Sequence, residues 1–439
     1  MCFGGSISAV VARGISSLKS IKCLVAMMKE NSEGWIRADR AHAWHPFTDQ
    51  EEWEASEPLV IVRGEGCWLI DSEGRRYLDA NSSIWTNIHG HGHPRIVAVI
   101  QEQAATLCHS SYLGFANDKA SELAERLCGF FPDAALPRCF FSDDGSTALE
   151  VALKMSLQWC QQNGREEREG IIAFDHAYHG DTLGASSVGG VSRFIKGYGE
   201  SGLSTFRVAG MEDLKTLPEV VVKTASAVVI EPLIQGVNQM RPWPEGMLKE
   251  LREWCGANEV HLILDEVMTG FGRTGTMFAC QQEEVVPDFL CLAKGLTGGT
   301  MPLAATLTTK EIYEGFKGGP ERTFYYGHSY TGNPLGCAAA LASLDVFEET
   351  GVLGAVEEKG AYLEKGLAKF AQITGIRRVG LALGMDIEGD GKEFCLALRK
   401  YQVLTRPILN TIVLMPPLSV SKNELDHLLD AIEKVLSES

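Results

Sequence analysis

The sequence predicts an open α/β sheet, mostly parallel and covered by helices on both faces, with a smaller α+β domain attached. Two observations carry this reading. Between about 138 and 308, short apolar runs alternate with longer helical stretches, and the runs are rich in Val, Ile, Leu and Phe with little in–out alternation. That is the pattern of strands buried on both faces. From about 335 the chain changes to helices followed by short strands, the order expected of a separate α+β unit.

Taken in order, residues 58–80 carry the turn signals Arg63-Gly64-Glu65-Gly66 and Asp71-Ser72-Glu73-Gly74 and read as a small meander. Strands are predicted at 138–142, 171–174, 227–231, 261–265, 289–293 and 303–308, with helices at 146–162 and 245–255. In the tail, helices at 335–348 and 352–370 precede strands around 378–383 and 411–415, and a last amphipathic helix starts near Ser421. The expected division is an N-terminal extension at 1–36, one part of the small domain at 37–88, the large domain at 89–330 and the rest of the small domain at 331–439.

The length of 439 residues suits two or three domains, and 45% hydrophobic with 22% charged residues excludes a disordered or collagen-like chain. Forty basic against 57 acidic residues give a net charge of −17, which argues against nucleic acid as a general partner. Twelve cysteines are scattered without a C-x-x-C pair, as expected of thiols in a reducing compartment such as the cytoplasm. No apolar run is long enough for a membrane span. Residues 1–29 hold Arg13, Lys19, Lys22 and Lys29 and no acid. They read as an upstream start ahead of Met27 or Met28 or, less favoured, as an organellar transit segment.

Several residues could carry chemistry. Asp265 ends the apolar run His-Leu-Ile-Leu (261–264), and a carboxylate at a buried strand end needs a partner or a shifted pKa. A helix cap would explain it equally well. Lys294 ends Phe-Leu-Cys-Leu-Ala (289–293), where desolvation would make its amine nucleophilic, unless it snorkels to solvent. Asp143-Asp144-Gly145-Ser146-Thr147 joins a strand to a helix, a geometry that suits a phosphate or an ordinary N-cap. Tyr178, in Tyr-His-Gly-Asp (178–181), offers a flat ring with a polar tip. Arg406, in Thr-Arg-Pro (405–407), is a candidate carboxylate clamp. His89, His91 and His93 alternate with glycine, but no carboxylate or cysteine completes a metal site. A magnesium-holding acid would need a G-x-x-x-x-G-K-[ST] loop, which the chain lacks. A phosphate cradle, a strand-end acid, a lysine nucleophile and an aromatic plate together match the needs of a pyridoxal phosphate site.

Asp-Glu-Val-Met-Thr-Gly-Phe-Gly-Arg-Thr-Gly (265–275) and Ala-Lys-Gly-Leu-Thr-Gly-Gly (293–299) resemble class III, fold-type I, pyridoxal phosphate-dependent aminotransferases. The resemblance runs from about Arg40 to the C-terminus. Within the class, Trp-His-Pro-Phe-Thr (44–48), Ser-Ser-Ile-Trp (82–85), 296–306 and Met-Pro-Pro-Leu (415–418) resemble the biotin-pathway branch that aminates 8-amino-7-oxononanoate to 7,8-diaminononanoate. The resemblance implies a seven-stranded, mostly parallel sheet in a cofactor-binding large domain. It also implies pyridoxal 5′-phosphate as cofactor, two small-molecule substrates, and a homodimer with active sites at the subunit interface.

It further implies that Lys294 forms the Schiff base and shuttles the proton, Asp265 holds the pyridine nitrogen, Gly145 and Ser146 bind the phosphate, and Tyr178 covers the ring. Glu231 and Gln235 stand beside the cofactor. Gly327, His328 and Ser329 lie where a neighbouring subunit completes the phosphate and substrate site. Phe47, Ile84, Trp85, Arg273 and Arg406 line the substrate site, with Arg406 on a carboxylate. Branch members that use S-adenosylmethionine typically carry Tyr in place of Phe47, a second Trp in place of Ile84 and Pro-Thr in place of His328-Ser329. The residues here resemble the lysine-using branch, so the expected donor is S-adenosylmethionine or L-lysine with lysine favoured. Other class III ω-aminotransferases, an aminomutase and a catalytically silent relative are the rival readings.

Overall fold

The computed structural model describes residues 32–197 and 202–438. The reading of residues 1–29 therefore lies outside the described residues; of the predicted extension only 32–36 are described, within a helix running through 42.

The large sheet has seven strands in the spatial order Arg138–Ser142, Ala304–Thr308, Phe289–Leu292, His261–Asp265, Ala225–Ile230, Gly170–Phe174 and Thr205–Val208. Pairings are parallel from Phe289–Leu292 through to Thr205–Val208, while Ala304–Thr308 runs antiparallel to both its neighbours. The edge strand Thr205–Val208 was absent from the six runs read in the sequence, because Thr-Phe-Arg-Val lacks a continuous apolar stretch. Burial on both faces is visible along one strand. Leu262 and Leu264 pack with Leu123 and Leu341 on one side, while Ile263 packs with Leu149 and Leu153 on the other, as the pleat requires.

Helix Gly145–Gln162 supplies much of that second layer. It starts where Asp144 accepts a hydrogen bond from Thr147 N at 3.0 Å, while Thr147 Oγ1 accepts from Asp144 N at 2.9 Å. This reciprocal cap fixes the helix N-terminus at the carboxyl end of Arg138–Ser142. On the other layer, helix Pro334–Thr350 opens with proline in its first turn under an Asn333 cap and ends at Gly351, whose φ is 60°.

The predicted meander is present as Ile61–Glu65, Trp68–Asp71 and Arg76–Asp79, joined by Val403–Leu404 from the C-terminal part of the chain. The strand predicted at 378–383 is instead a hairpin turn flanked by Ile373–Val379 and Ala382–Ile387. Gly380, with φ +57°, reverses the chain there. Pro407–Ile408 and Thr411–Leu414 complete this second sheet, against which helix Val356–Leu367 packs.

Ser82, Ser83, Ile84 and Trp85 all have positive φ, from 47° to 68°. L-residues rarely adopt this left-handed conformation, least of all a β-branched one. Side chains hold the turn in place. Asp79 accepts from Ser83 N at 3.0 Å and Ser83 Oγ at 2.7 Å, and Asn81 Oδ1 accepts from Trp85 Nε1 at 2.9 Å. Ser82 Oγ donates to Met415 O at 2.6 Å.

Arg273 reinforces the same junction. Its guanidinium donates to Pro416 O at 2.7 Å, Leu381 O at 3.1 Å and Ser82 Oγ at 3.3 Å, and it is 0% exposed. Burial pushes its pKa down to about 9, against the pull of Asp79. Replacing Arg273 by Met would strand these acceptors, so Arg273→Met is expected to cost about 3 kcal/mol of stability. Chemical denaturation of the two proteins side by side checks this.

Candidate active site

In the large sheet the ligand edge is the carboxyl end of the parallel strands, and five chain segments deliver their polar residues there. Gly145 and Ser146 follow Arg138–Ser142, Tyr178 follows Gly170–Phe174, and Glu231 follows Ala225–Ile230. Asp265 ends its own strand, and Lys294 comes two residues after Leu292. All six line one cavity of about 170 Å³, with Trp85, Val267 and Met268 among the remaining walls.

Asp265 is 5% exposed. Val267 N donates to its Oδ1 at 3.1 Å, and His179 Nδ1 lies 2.7 Å from its Oδ2. Burial lowers the His179 pKa, but the Asp265 hydrogen bond and charge, with Glu231, outweigh it and leave the imidazole raised. Glu231 accepts from Gly236 N at 3.0 Å and Tyr178 N at 3.2 Å. Burial above all, with the nearby Asp265 charge, pushes its carboxyl up to about 7. For Lys294 burial also dominates and lowers the pKa, against the opposing pull of Asp265 and Glu231. Its Nζ stands 5.0 Å from the centroid of the Trp85 ring, so the left-handed turn puts an aromatic face on the amine. The backbone at Lys294 itself has φ 44°.

The cradle at the helix N-terminus is tight. A Cβ on Gly145 would lie 2.6 Å from Val267 Cγ1, and one on Gly180 would lie 2.1 Å from Ser146 Oγ. Ser146 Oγ accepts from Asp181 N at 3.1 Å. The Tyr178 hydroxyl donates to Asp181 Oδ2 at 2.5 Å, and burial with that carboxylate raises the phenol pKa.

A second cavity of about 230 Å³ adjoins the first and shares Trp85, Tyr178 and Lys294 with it. Phe47, Ile84 and Arg406 line it, as do Arg193 and Phe194.

The family profile described as Aminotransferase class-III matches residues 50–436. The chain belongs to the class-III aminotransferase family. The adenosylmethionine-8-amino-7-oxononanoate aminotransferase of Geobacter sulfurreducens is 44% identical over 434 residues, covering 90% of this chain and 96% of the relative. The crystal structure of the enzyme of that name from Methanocaldococcus jannaschii superposes with a TM-score of 0.90 at 38% identity, covering 93% of this chain and 99% of that one. An amine transaminase from an uncultivated Pseudomonas species, solved in its pyridoxal phosphate-bound form, gives 0.84 at 31%, covering 90% and 98%.

This aminotransferase takes pyridoxal 5′-phosphate as its cofactor, and the residues present fit it. The first cavity offers a helix N-terminus with glycine and a serine for a phosphate. It also holds a histidine-supported carboxylate for a ring nitrogen, a desolvated lysine for a carbonyl carbon, and apolar walls for the ring faces.

Of the residues singled out in the sequence, Gly145, Ser146, Tyr178, Glu231, Asp265 and Lys294 converge on the first cavity, and Phe47, Ile84, Trp85 and Arg406 on the second. Gln235 stands behind Glu231, where its Nε2 donates to Asp175 O at 2.9 Å. Arg273 does not line either cavity; it is buried among backbone carbonyls as described above. Gly327, His328 and Ser329 also lie outside both cavities, with His328 Nδ1 2.8 Å from Asp143 Oδ2. Sequence reasoning missed His179, Arg193 and Phe194. The only signal for His179 was its place beside Tyr178 in the tetrapeptide that opens at the strand end.

Glu231 gives the site a pH signature. A carboxyl with a folded pKa of about 7 against an ordinary 4.5 binds more protons when folded. Its stabilisation is complete below the lower value and lost as the pH rises through the higher one. Relative to Glu231→Gln, the wild type is therefore expected to gain up to about 2 kcal/mol between pH 8 and pH 5, measured by urea unfolding at both values.

Proposed function

We propose that this aminotransferase converts 8-amino-7-oxononanoate to 7,8-diaminononanoate in biotin biosynthesis, with L-lysine favoured over S-adenosylmethionine as the amino donor. The observation that carries the reading is the second cavity. It opens from Lys294, bears Arg406 for a substrate carboxylate, and is walled by the apolar Phe47, Ile84 and Trp85 for an aliphatic chain. The similarity to relatives named for this reaction supports it. Phe47 presents a ring with no hydroxyl, and Ile84 presents an aliphatic group where an indole would stack on a sulfonium or an adenine. Both support lysine.

Bound pyridoxal phosphate supplies an electron sink for the carbanion formed when the reacting carbon loses its proton. The chain's own residues do the rest. Lys294 Nζ, desolvated and so unprotonated more of the time, would take the proton from the donor carbon and deliver it to the cofactor carbon on the far side of the reacting nitrogen. Asp265, braced by His179 and Val267 N, holds the pyridine nitrogen. Trp85 and Tyr178 keep water away from the reacting carbon.

The proposal extends to a homodimer in which segment 327–329 completes the partner subunit's site. In its support, Leu113 and Phe115 of one loop and Tyr325 and Tyr330 of another are 61–85% exposed. The loops are neighbours, since the His109 and Tyr330 rings meet at a tilt with centroids 4.7 Å apart and Asn117 Nδ2 donates to Gly332 O at 2.9 Å. So large an apolar surface points to an interface. Sedimentation is expected to give the mass of two chains; a monomer at micromolar concentration would remove this part. Free thiols at all ten described cysteines support a reducing compartment, the cytoplasm. Among the described residues no helix is long and apolar enough to cross a membrane.

The test is a half-reaction on cofactor-loaded enzyme with each donor added singly. L-lysine is expected to bleach the cofactor's yellow band, and subsequent 8-amino-7-oxononanoate to restore it. Bleaching by S-adenosylmethionine alone would overturn the donor assignment. Bleaching by neither would leave a wider ω-aminotransferase. Lys294→Ala is expected to abolish turnover with every donor.

A further inference from the structure

In a chain of net charge −17, the second cavity is lined by three cations, Arg193, Lys294 and Arg406, and by no carboxylate. Lys294 is committed to the chemistry. Arg406 lies between the short strands Val403–Leu404 and Pro407–Ile408, its carbonyl accepting from Val413 N at 3.2 Å. Arg193 comes from a different part of the chain, the short helix Ser192–Ile195 of the large-sheet region. Its guanidinium carbon is 4.9 Å from the centroid of the Phe194 ring. Phe194 in turn meets Phe47 at 5.5 Å and Tyr178 at 5.6 Å, both edge-on. The aromatic wall thus carries Arg193 at the rim of the cavity.

Neither guanidinium has a hydrogen-bond or ion-pair partner among the described residues. Elsewhere Arg95, Arg126, Arg377 and Arg378 are each engaged by carboxylates. A guanidinium fork stacked on an aromatic face and left without an acid is arranged to receive a planar anion from outside.

We propose that Arg193 is a second carboxylate contact of the substrate cavity, acting with Arg406, and that the enzyme selects amines and oxo acids bearing a free carboxylate. This rests on reading the second cavity as the substrate site. The two substrates of a transamination pass through the same cavity in turn. Those proposed above carry their carboxylates at different distances from the reacting carbon. Two arginines on separate segments offer a contact at each reach.

The test uses unreactive probes on the cofactor-loaded holoenzyme: hexanoate and its neutral isostere hexanamide, with affinities read by calorimetry. The wild type is expected to prefer the acid. Arg193→Gln is expected to cut that preference about tenfold, the loss of one charge-assisted contact, and Arg193→Lys to restore part of it. The preference should also weaken as salt is raised. An Arg193→Gln protein that keeps the wild-type preference overturns the inference, as does a wild type with no preference. Arg193 is exposed, and retention of the cofactor band in each variant verifies that the site is intact. If the acid preference holds and falls in Arg193→Gln while 8-amino-7-oxononanoate is not aminated, the proposed reaction fails and the Arg193 assignment stands for another carboxylate substrate.

Discussion

Asp265 must remain a buried carboxylate at the end of a parallel strand, and most of the site follows from that requirement. A charge so placed is costly unless hydrogen bonds replace its water. Val267 N and His179 supply them. The histidine contact reaches across from the loop after Gly170–Phe174 and so fixes that loop, and with it Tyr178. Tyr178 N then reaches Glu231, which locks the next strand end to the same cluster. Burial above all, with the Asp265 charge, raises Glu231, and the same negative charge opposes the lowering of Lys294 by burial. For Lys294 desolvation wins, and this leaves more of its amine unprotonated, and so free to act as a nucleophile or accept a proton, than in an exposed lysine. If Asp265 were absent, that balance would tip further toward a neutral amine.

Strain enters on the opposite wall. Four consecutive left-handed residues, one of them the β-branched Ile84, cost about 1 kcal/mol or more each. The turn persists because Asp79, Asn81, Met415 O and Arg273 over-determine it. Such strain is tolerated where it places a side chain that an ordinary helix or strand cannot. Here it places Trp85 over Lys294 Nζ and turns Ile84 toward the adjoining cavity. Arg273, far from being a substrate ligand, is part of the brace.

This division explains what the sequence could and could not disclose. Asp265 and Lys294 were legible because a charged residue ending a buried apolar run is conspicuous in one dimension. The glycine-serine cradle was legible because strand, glycine and helix are contiguous. His179 was not, because its meaning depends on a carboxylate 86 positions away. Arg273 was misread for a related reason. Set among Gly, Phe and Thr it looks like a loop arginine, yet its acceptors at Leu381 and Pro416 come from more than 100 positions further along. The hairpin about Gly380 reads as a strand in the sequence because apolar residues flank the glycine on both sides, and periodicity alone carries no sign of a chain reversal.

Electrostatics sets a further condition on the cavity. A net charge of −17 repels a ligand that is anionic overall at long range. At physiological salt that repulsion decays over about 8 Å, so it affects approach more than binding. Within the cavity the local sign is reversed, since Arg193, Lys294 and Arg406 are its charged lining. Low-dielectric walls of Phe47, Ile84, Trp85 and Phe194 strengthen each of those charges relative to water. An aliphatic amine without a carboxylate would meet only repulsion from the same three groups. The charged lining therefore has one sign, and its two arginines stand on separate segments. Removing either arginine should weaken the field without abolishing it, because the two cations stand on separate segments.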